Sequence, residues 1–455
     1  MIGAFFCAVA WYGIQGKAFA QTRNQEAFWR YAIDDVFVSG TTSGTVGGAN
    51  IWRYSDYADG SIYGTIANVS IMNTSTTLGT LNNYLRRGEF GSIAACGCVA
   101  AGDPCRMSAC APCGKVTSQD GRISGCNGGC CVCCKGGCFG GCGAGMHDHN
   151  CDGLGKGCRN DSGCGTDCGK GCGSAFSPRK NCRNLWGLAY GTGGSTQFDG
   201  NVSGYNQGFF GTIVGLDRLY GNTTRAGLYV SYGEGRISKN LNQTSDSKEL
   251  LVGLYLRKEM EIGYVILNGG LGYDQYDTER QFIGNWAAKS KHSGFVGTAY
   301  AERGLEFQGE YVKWQPFFGL QYIGNQQQGF TENGICPLNL AGDITTANSF
   351  RSLLGIRLST NLARTHRGSL ALFGQSIWMH EFLNETSTNF TGKFAALPNN
   401  GTYTVSGNNA GRDWAILGTG LTYDTRQWRL FAGYDISMNE RQVLHTGNAG
   451  AVYGW

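Results

Sequence analysis

The sequence predicts an all-β fold: a 12-stranded antiparallel transmembrane β-barrel, preceded by a helix and an irregular Cys-rich segment. Apolar and polar side chains alternate with period two over residues 183–455. The alternating runs are even in number, as closure of an antiparallel bacterial barrel requires. The connections between runs supply a third observation, because long and short connections alternate along the chain.

The period-two pattern is clear within single runs. In "ELLVGLYLRK", Leu250, Val252 and Leu254 share one parity, while Glu249 and Arg257 take the other. The same division recurs in "RSLLGIRL", "GFFGTIVGLD" and "QPFFGLQY". One face is apolar and the other carries Gly, amide and charged side chains, which is expected of a wall between lipid and water.

Twelve such runs can be counted, and each is longer than the roughly 5 or 6 residues of a typical globular strand. They fit the roughly 9 to 11 residues that cross a bilayer at a tilt. The runs lie near 184–195, 205–217, 225–236, 247–258, 261–274, 293–305, 311–325, 347–359, 367–382, 412–423, 427–438 and 441–455.

The connections after odd-numbered runs are long and those after even-numbered runs are short, except after run eleven. This pattern predicts one extracellular rim with long loops and one periplasmic rim with tight turns. Lipid offers no hydrogen bonds, so Arg257 and Arg357 are expected to face the lumen. At the periplasmic rim, where aromatic rings favour the headgroup layer, the sequence predicts Trp186, Trp314, Trp428 and Trp455.

The chain before the barrel divides into three parts. Residues 1–20 resemble an export signal that ends in Ala18-Phe19-Ala20, although the usual positive first region is missing, so the start is misplaced or the segment is an ordinary buried element. Residues 21–75 are polar and rich in Gly, Ser and Thr. Within residues 76–95, Leu78, Leu81 and Leu85 recur at helical spacing, which predicts a helix.

Residues 96–182 hold eighteen of the twenty Cys and almost no large apolar side chains, so cross-links or metal must supply any structure. An even number of Cys in an exported chain favours disulfides. Metal binding is the rival, through "CVCC", "CKGGC" and the stretch that contains His147, Asp148, His149, Cys151 and Asp152. The net charge of +4, without a basic run, argues against nucleic acid as a partner.

Residues 183–455 resemble the β-domain of bacterial autotransporters, the type Va secretion family. The resemblance is carried, in order, by "NLWGLAYGTGG", "GFFGTIVGLDRLYG", "WQPFFGLQYIGNQQQGFTENG", "RSLLGIRLS", "SIWMHEFLN", "RDWAILGTGLTYD" and "WRLFAGYDISMNERQVLHTGNAGAVYGW". It implies a barrel in the outer membrane that exports or displays an N-terminal passenger. Residues 21–75 would then be a short passenger or its remnant, and 76–95 the helix inside the lumen.

The resemblance also implies sites and partners. The family's last strand carries a signal for the outer-membrane assembly machinery, whose places are filled here by Asn448, Gly450, Tyr453 and Trp455. Outer-membrane lipid, periplasmic chaperones and that machinery are the expected partners of a monomeric barrel. No cofactor, metal or enzymatic activity of the barrel is implied.

Some members cut their own chain at an Asn-Asn pair on the lumenal helix, and Asn82-Asn83 stands in a similar place. Two other functions stay open at this point. A plain porin-like barrel would lack a passenger, and a lipase-type outer-membrane barrel would use a Ser and a His on the outer wall, for which Ser376 and His380 share parity.

Overall fold

The computed structural model describes residues 60–87, 132–134, 137–139 and 183–455, the last range with gaps at 200, 222, 240–242, 282–286, 335–338, 366–367, 384–388, 397–400 and 426. The predicted signal, residues 21–59, nearly all of the Cys-rich segment and Cys336 lie outside the described residues. The chain divides into two compact units, Met1–Cys96 with Asn181–Trp455, and Gly97–Lys180. In the second unit, β1 (Val132–Cys134) and β2 (Gly137–Phe139) pair antiparallel.

Twelve long strands of the first unit form a closed antiparallel barrel, which confirms the predicted fold. Each strand pairs with its neighbours in the chain, and β19 closes the wall against β3. The wall strands are β3 (Arg183–Thr196), β4 (Tyr205–Tyr220), β5 (Thr224–Lys239), β6 (Gln243–Met260), β7 (Gly263–Gln281), β8 (Ala287–Gly304), β10 (Lys313–Gln327), β13 (Thr345–Arg364), β14 (Ser369–Glu381), β17 (Asp413–Asp424), β18 (Trp428–Met438) and β19 (Gln442–Gly454).

Short strands occupy three connections. β9 (Phe307–Gln308) pairs with the start of β10 at the periplasmic rim. At the extracellular rim, β11 (Phe330–Thr331) and β12 (Leu340–Gly342) lie in the link between β10 and β13, and β15 (Asn389–Phe394) and β16 (Tyr403–Ser406) lie in the link between β14 and β17. These four strands form a separate sheet in the order β11-β12-β15-β16, which we name the cap.

The prediction of long connections was wrong after β5 and β7. The strands continue past the apolar band, so only residues 240–242 separate β5 from β6, and only residues 282–286 separate β7 from β8. In these extensions the outward side chains are charged: Arg236 pairs with Asp246 at 3.7 Å, and Lys291 with Asp277 at 2.7 Å. Strand pairing therefore persists in water, where no hydrophobic alternation marks it in the sequence.

The two faces of the wall follow the predicted parity. Leu254 and Leu271 on the outside are 67% and 76% exposed, whereas Arg257 and Arg357 are buried inside, as predicted. Trp186 departs from the predicted girdle, because it points into the lumen and is only 2% exposed. The other three predicted rim tryptophans, Trp314, Trp428 and Trp455, are exposed on the outside.

Inward aromatic rings lie over glycines of the neighbouring strand. At each of these cross-strand pairs a Cβ on the glycine would overlap the ring, so the small residue makes room for the large one. The pairs are Trp186 with Gly215, Tyr190 with Gly211, Tyr229 with Gly253, Tyr255 with Gly227, Tyr264 with Gly304, Phe317 with Gly355, Phe373 with Gly420 and Phe431 with Gly450.

A 26-residue helix, α1 (Ser61–Arg86), precedes the barrel and is buried almost throughout. It begins well before the predicted start at residue 76, and residues 88–95 of the predicted range lie outside the described residues. The first half of the helix was not predicted because it is rich in Ser, Thr and Asn, which favour caps and turns. Here Thr hydroxyls donate to carbonyls one turn earlier, as in Thr65 to Ser61 and Thr77 to Asn73. Among the described residues, no helix is long and apolar enough to span a membrane.

Candidate functional site

α1 lies inside the lumen and runs from the extracellular to the periplasmic rim. At its start, Lys239, the last residue of β5, donates to the Ser61 hydroxyl at 2.6 Å. At its end, Arg429, which follows the turn between β17 and β18, donates to the Arg87 carbonyl at 2.8 Å. The helix therefore spans the whole wall, and its direction is defined by contacts at both ends.

Carboxylates from the wall meet the helix at mid-lumen. The Ser70 hydroxyl donates to Asp274 at 2.8 Å, and Thr74 and Thr77 both donate to Glu249. Glu249 belongs to the polar parity of "ELLVGLYLRK", so its lumenal position follows the sequence pattern. Buried carboxylates need such hydrogen-bond donors, which explains why a polar helix fills this lumen.

The periplasmic end of α1 is held by side chains of the wall strands. Arg86 donates from Nε to both oxygens of Glu302, at 2.9 and 3.0 Å, and the ion pair is buried. The hydroxyls of Tyr264 and Tyr300 also donate to Glu302. The Arg86 guanidinium stacks on Phe317, with 4.1 Å between the guanidinium carbon and the ring centroid.

A second stack continues around this end. The Phe373 ring contacts the guanidinium groups of Arg357 and Arg87, at 4.2 and 4.3 Å, and Arg87 also lies on Phe431 at 4.6 Å. Tyr84 lies between Phe431 and Trp186, and donates to Asp217 at 3.0 Å. We name the inward ring set Trp186, Tyr264, Tyr300, Phe317, Phe373 and Phe431 the aromatic collar.

The helix does not fill the lumen evenly. A cavity of about 90 Å³ remains beside Gly79, whose Cβ position has no neighbour within 4 Å. Its lining includes the apolar side chains of Leu353, Ile377 and Trp414. The sequence predicted only Gly, amide and charged side chains on this lumenal face. The residual space is thus a cleft along one side of α1.

Asn82 and Asn83 both lie buried in the lumen near the periplasmic end of α1. The Asn82 side-chain oxygen accepts from Asn268 Nδ2 at 2.7 Å. Asn83 accepts from Arg86 at 3.0 Å, and its Nδ2 lies 3.5 Å from an oxygen of Asp435. A lumenal carboxylate therefore stands beside this pair, and no signal beyond strand parity could have found it.

The four predicted residues of the last strand divide between the two faces. Asn448 faces the lumen opposite Gly433, and Gly450 lies under the Phe431 ring. Tyr453 and Trp455 stack outside, with ring centroids 5.9 Å apart, and Trp428 lies 4.9 Å from Tyr453. The C-terminus thus ends in an aromatic cluster at the periplasmic rim.

Ser376 and His380 both face outward on β14 but are four residues apart, roughly 13 Å along a strand. His380 Nδ1 instead contacts Asp413 at 2.8 Å, and Trp378 donates to the same oxygen. The structure does not bring the two predicted residues together as a nucleophile and base.

Comparison with known proteins agrees with this architecture. The family model for the autotransporter beta-domain matches residues 185–435, more than half of the chain. Two curated relatives are extracellular serine proteases of Serratia marcescens; the first is 26% identical over 273 residues, covering 59% of this chain. The chain spans 24% of the length of those relatives.

Two solved structures are also similar. The translocator domain of the autotransporter NalP from Neisseria meningitidis is 18% identical, with a TM-score of 0.49, over 60% of this chain and 88% of that one. The β domain of the Bordetella autotransporter BrkA is 17% identical, with a TM-score of 0.45, over 60% and 99%. On the family match, the chain belongs to the autotransporter β-domain family, the translocator barrels of the bacterial outer membrane.

Proposed function

We propose that the barrel anchors the chain in the outer membrane and exports or displays the residues that precede α1 on the cell surface. The direction of α1 supports this proposal: Gly60, its N-cap, lies at the extracellular rim against Leu340 and Phe390 of the cap. A chain that enters the helix from that side has already crossed the wall. The helix is then the last part of the exported segment to remain in the lumen.

Surface labelling tests the proposal. An epitope inserted near residue 30 should be labelled by antibody on intact cells, whereas one near residue 120 should be labelled only after the outer membrane is opened. The second expectation follows because the described ends on either side, Arg87 and Arg183, both contact the periplasmic rim. An epitope near residue 30 that stays hidden on intact cells would contradict export.

The same experiment addresses the Cys-rich segment, which we propose remains on the periplasmic side. A cross-linked segment placed there need not pass the lumen. Thiol alkylation before and after reduction, compared with metal analysis of the purified chain, distinguishes disulfides from bound metal.

A porin-like function is the alternative for the barrel. Because α1 occupies the lumen from one rim to the other, we expect little conductance in planar bilayers. Large, steady channels from the full chain would favour the porin function.

We further propose that Tyr453 and Trp455, with Asn448 and Gly450, form the signal read by the assembly machinery and its chaperones. The rings of Tyr453 and Trp455 stack on the outside of the barrel at the periplasmic rim. Replacing Trp455 with Ala should lower the yield of assembled barrel in cells but leave refolding in detergent unchanged. Equal losses in both settings would point to stability instead.

Self-cleavage at Asn82 and Asn83 is a second proposed activity, supported by the neighbouring carboxylate of Asp435. The side-chain amide nitrogen would attack the backbone carbonyl carbon of its own residue and form a cyclic imide as the peptide bond to the next residue breaks, while the carboxylate would transfer the amide proton to the departing amine. Asn82→Ala and Asn83→Ala should then leave an uncut chain on a gel. Identical fragments from wild type and both variants would dispose of the idea.

A further inference from the structure

The cap packs directly on the first turns of α1. The Tyr63 ring lies 4.1 Å from the Phe330 centroid and 5.0 Å from that of Phe390. Ile62 and Ile66 are buried in the same cluster. The left-handed Gly60, with φ of 76°, turns the chain against Leu340 and Phe390, where a Cβ would be only 3.0 Å from each side chain.

A buried ion pair joins three parts of the molecule at this point. Glu332, between β11 and β12, accepts two hydrogen bonds of 2.6 Å from Arg280 of the wall, and both side chains are fully buried. Glu332 also accepts from the Tyr63 hydroxyl and from the Leu340 backbone N–H. The wall, the helix and the cap therefore share one carboxylate.

The helix contributes to this site in a way that the wall cannot replace. Without Tyr63, Glu332 loses a hydrogen-bond donor in a fully desolvated position, which is unfavourable for a buried carboxylate. The faces of Phe330 and Phe390 that Tyr63 covers would be open to water. The cap in its closed position thus depends on the docked helix.

We propose that the cap is a latch that closes on Tyr63 only after the preceding residues have left the lumen. The proposal rests on the export function above. While the chain is in transit, other residues pass the position of Tyr63, so neither the aromatic contacts nor the Glu332 hydrogen bond can form. Closure then holds the first turns of α1 and covers the lumen from the cell exterior.

The order of events can be measured in pulse-labelled cells that make the full chain with an epitope near residue 30. Samples taken over time are labelled with antibody for surface epitope and treated with protease from outside the cell. Cutting of the cap is read on a gel, only in chains that still carry α1. We expect the epitope to appear first and the cap to become resistant afterwards. A cap that is resistant before the epitope appears overturns the latch.

A matched pair of variants tests the contact itself. Tyr63→Phe and Tyr84→Phe each remove one buried hydroxyl group that donates to a carboxylate. Tyr63 donates to Glu332 and Tyr84 to Asp217, at opposite ends of the same helix. Tyr63→Phe should raise the cleavage rate of the assembled cap by about tenfold, because cleavage follows the population of the open form. Tyr84→Phe should leave that rate unchanged.

Tyr63→Ala, which also removes the ring, should raise the rate further. Assembly is checked in every variant by the mobility shift of unheated barrel on a gel. If both Tyr63 variants assemble and display the epitope, yet their caps are cut at the wild-type rate, the latch is wrong. If the epitope never reaches the surface in wild type, the export function fails, and the latch fails with it.

Discussion

The two ends of α1 are held by different kinds of structure. At the periplasmic end the partners of the helix belong to wall strands: Glu302 to β8, Asp217 to β4 and Arg429 to β18. At the extracellular end, major partners lie in the links: Glu332 between β11 and β12, and Asn408 before β17, which accepts from Thr65 at 2.8 Å.

This difference separates two roles. The periplasmic partners are in place once the wall has closed, because strand register alone positions them. The extracellular partners also require the links to fold over the helix. Changes at the periplasmic end should therefore alter the stability of the helix-filled barrel, while changes at the extracellular end should alter protection of the cap.

The largest effect is expected from Glu302→Ala. The substitution leaves the buried Arg86 guanidinium without its carboxylate and removes the acceptor of Tyr264 and Tyr300. Breaking one side of a buried ion pair costs about 3–5 kcal/mol. The measurement is the denaturation midpoint of the refolded barrel in detergent, followed by its gel mobility shift.

Glu279→Ala is the matched control on the next strand, β7. Its partner Lys289 is exposed and lies 3.1 Å away in water. Exposed pairs contribute about 0–1 kcal/mol. Equal shifts of the midpoint for Glu302→Ala and Glu279→Ala would mean that the periplasmic contacts do not hold the helix.

Much of the wall could be predicted because lipid imposes a strict rule on each strand. Arg257 and Glu249 lie on the same face of their strand, and charged side chains are unfavourable in lipid. Their lumenal position therefore followed from the sequence alone. The charged extensions of β5 to β8 obey no such rule, since their outer face meets water instead of lipid. Trp186 was misplaced for a related reason: its cover over Gly215 depends on cross-strand register, which single-strand patterns do not contain.

The helix was only partly predictable. Its final turns carry leucines at helical spacing, but residues 61–75 are dominated by polar and β-branched side chains with low helix propensity. They become helical because their hydroxyls and amides meet lumenal carboxylates such as Asp274, far away in the chain. The cap and Glu332 were missed because the links carry no periodic signal.

Gly355→Ala should have an intermediate effect. Phe317 lies directly over Gly355 and carries the Arg86 guanidinium, so an added methyl group displaces the ring from both. Overpacking of this kind costs about 1–3 kcal/mol. Gly208→Ala is the control on the outer face, where nothing lies within 4 Å, and its denaturation midpoint should match wild type. If Gly355→Ala also keeps the wild-type midpoint, the aromatic collar does not contribute to the stability of the helix-filled barrel.

Arg357→Met should have the smallest effect on the denaturation midpoint. The free energy of unfolding should fall by less than about 1 kcal/mol, or rise. Among the described residues, Arg357 Nε and Nη1 are buried without a hydrogen-bond partner, and the guanidinium stacks on Phe373. A buried cation with two unpaired N–H groups is unfavourable, and Met keeps contact with the ring. Arg86→Met, measured in parallel, should be strongly destabilising because it leaves the buried Glu302 carboxylate without its cation. A comparable loss for Arg357→Met would mean that its guanidinium also stabilises the periplasmic end of the helix.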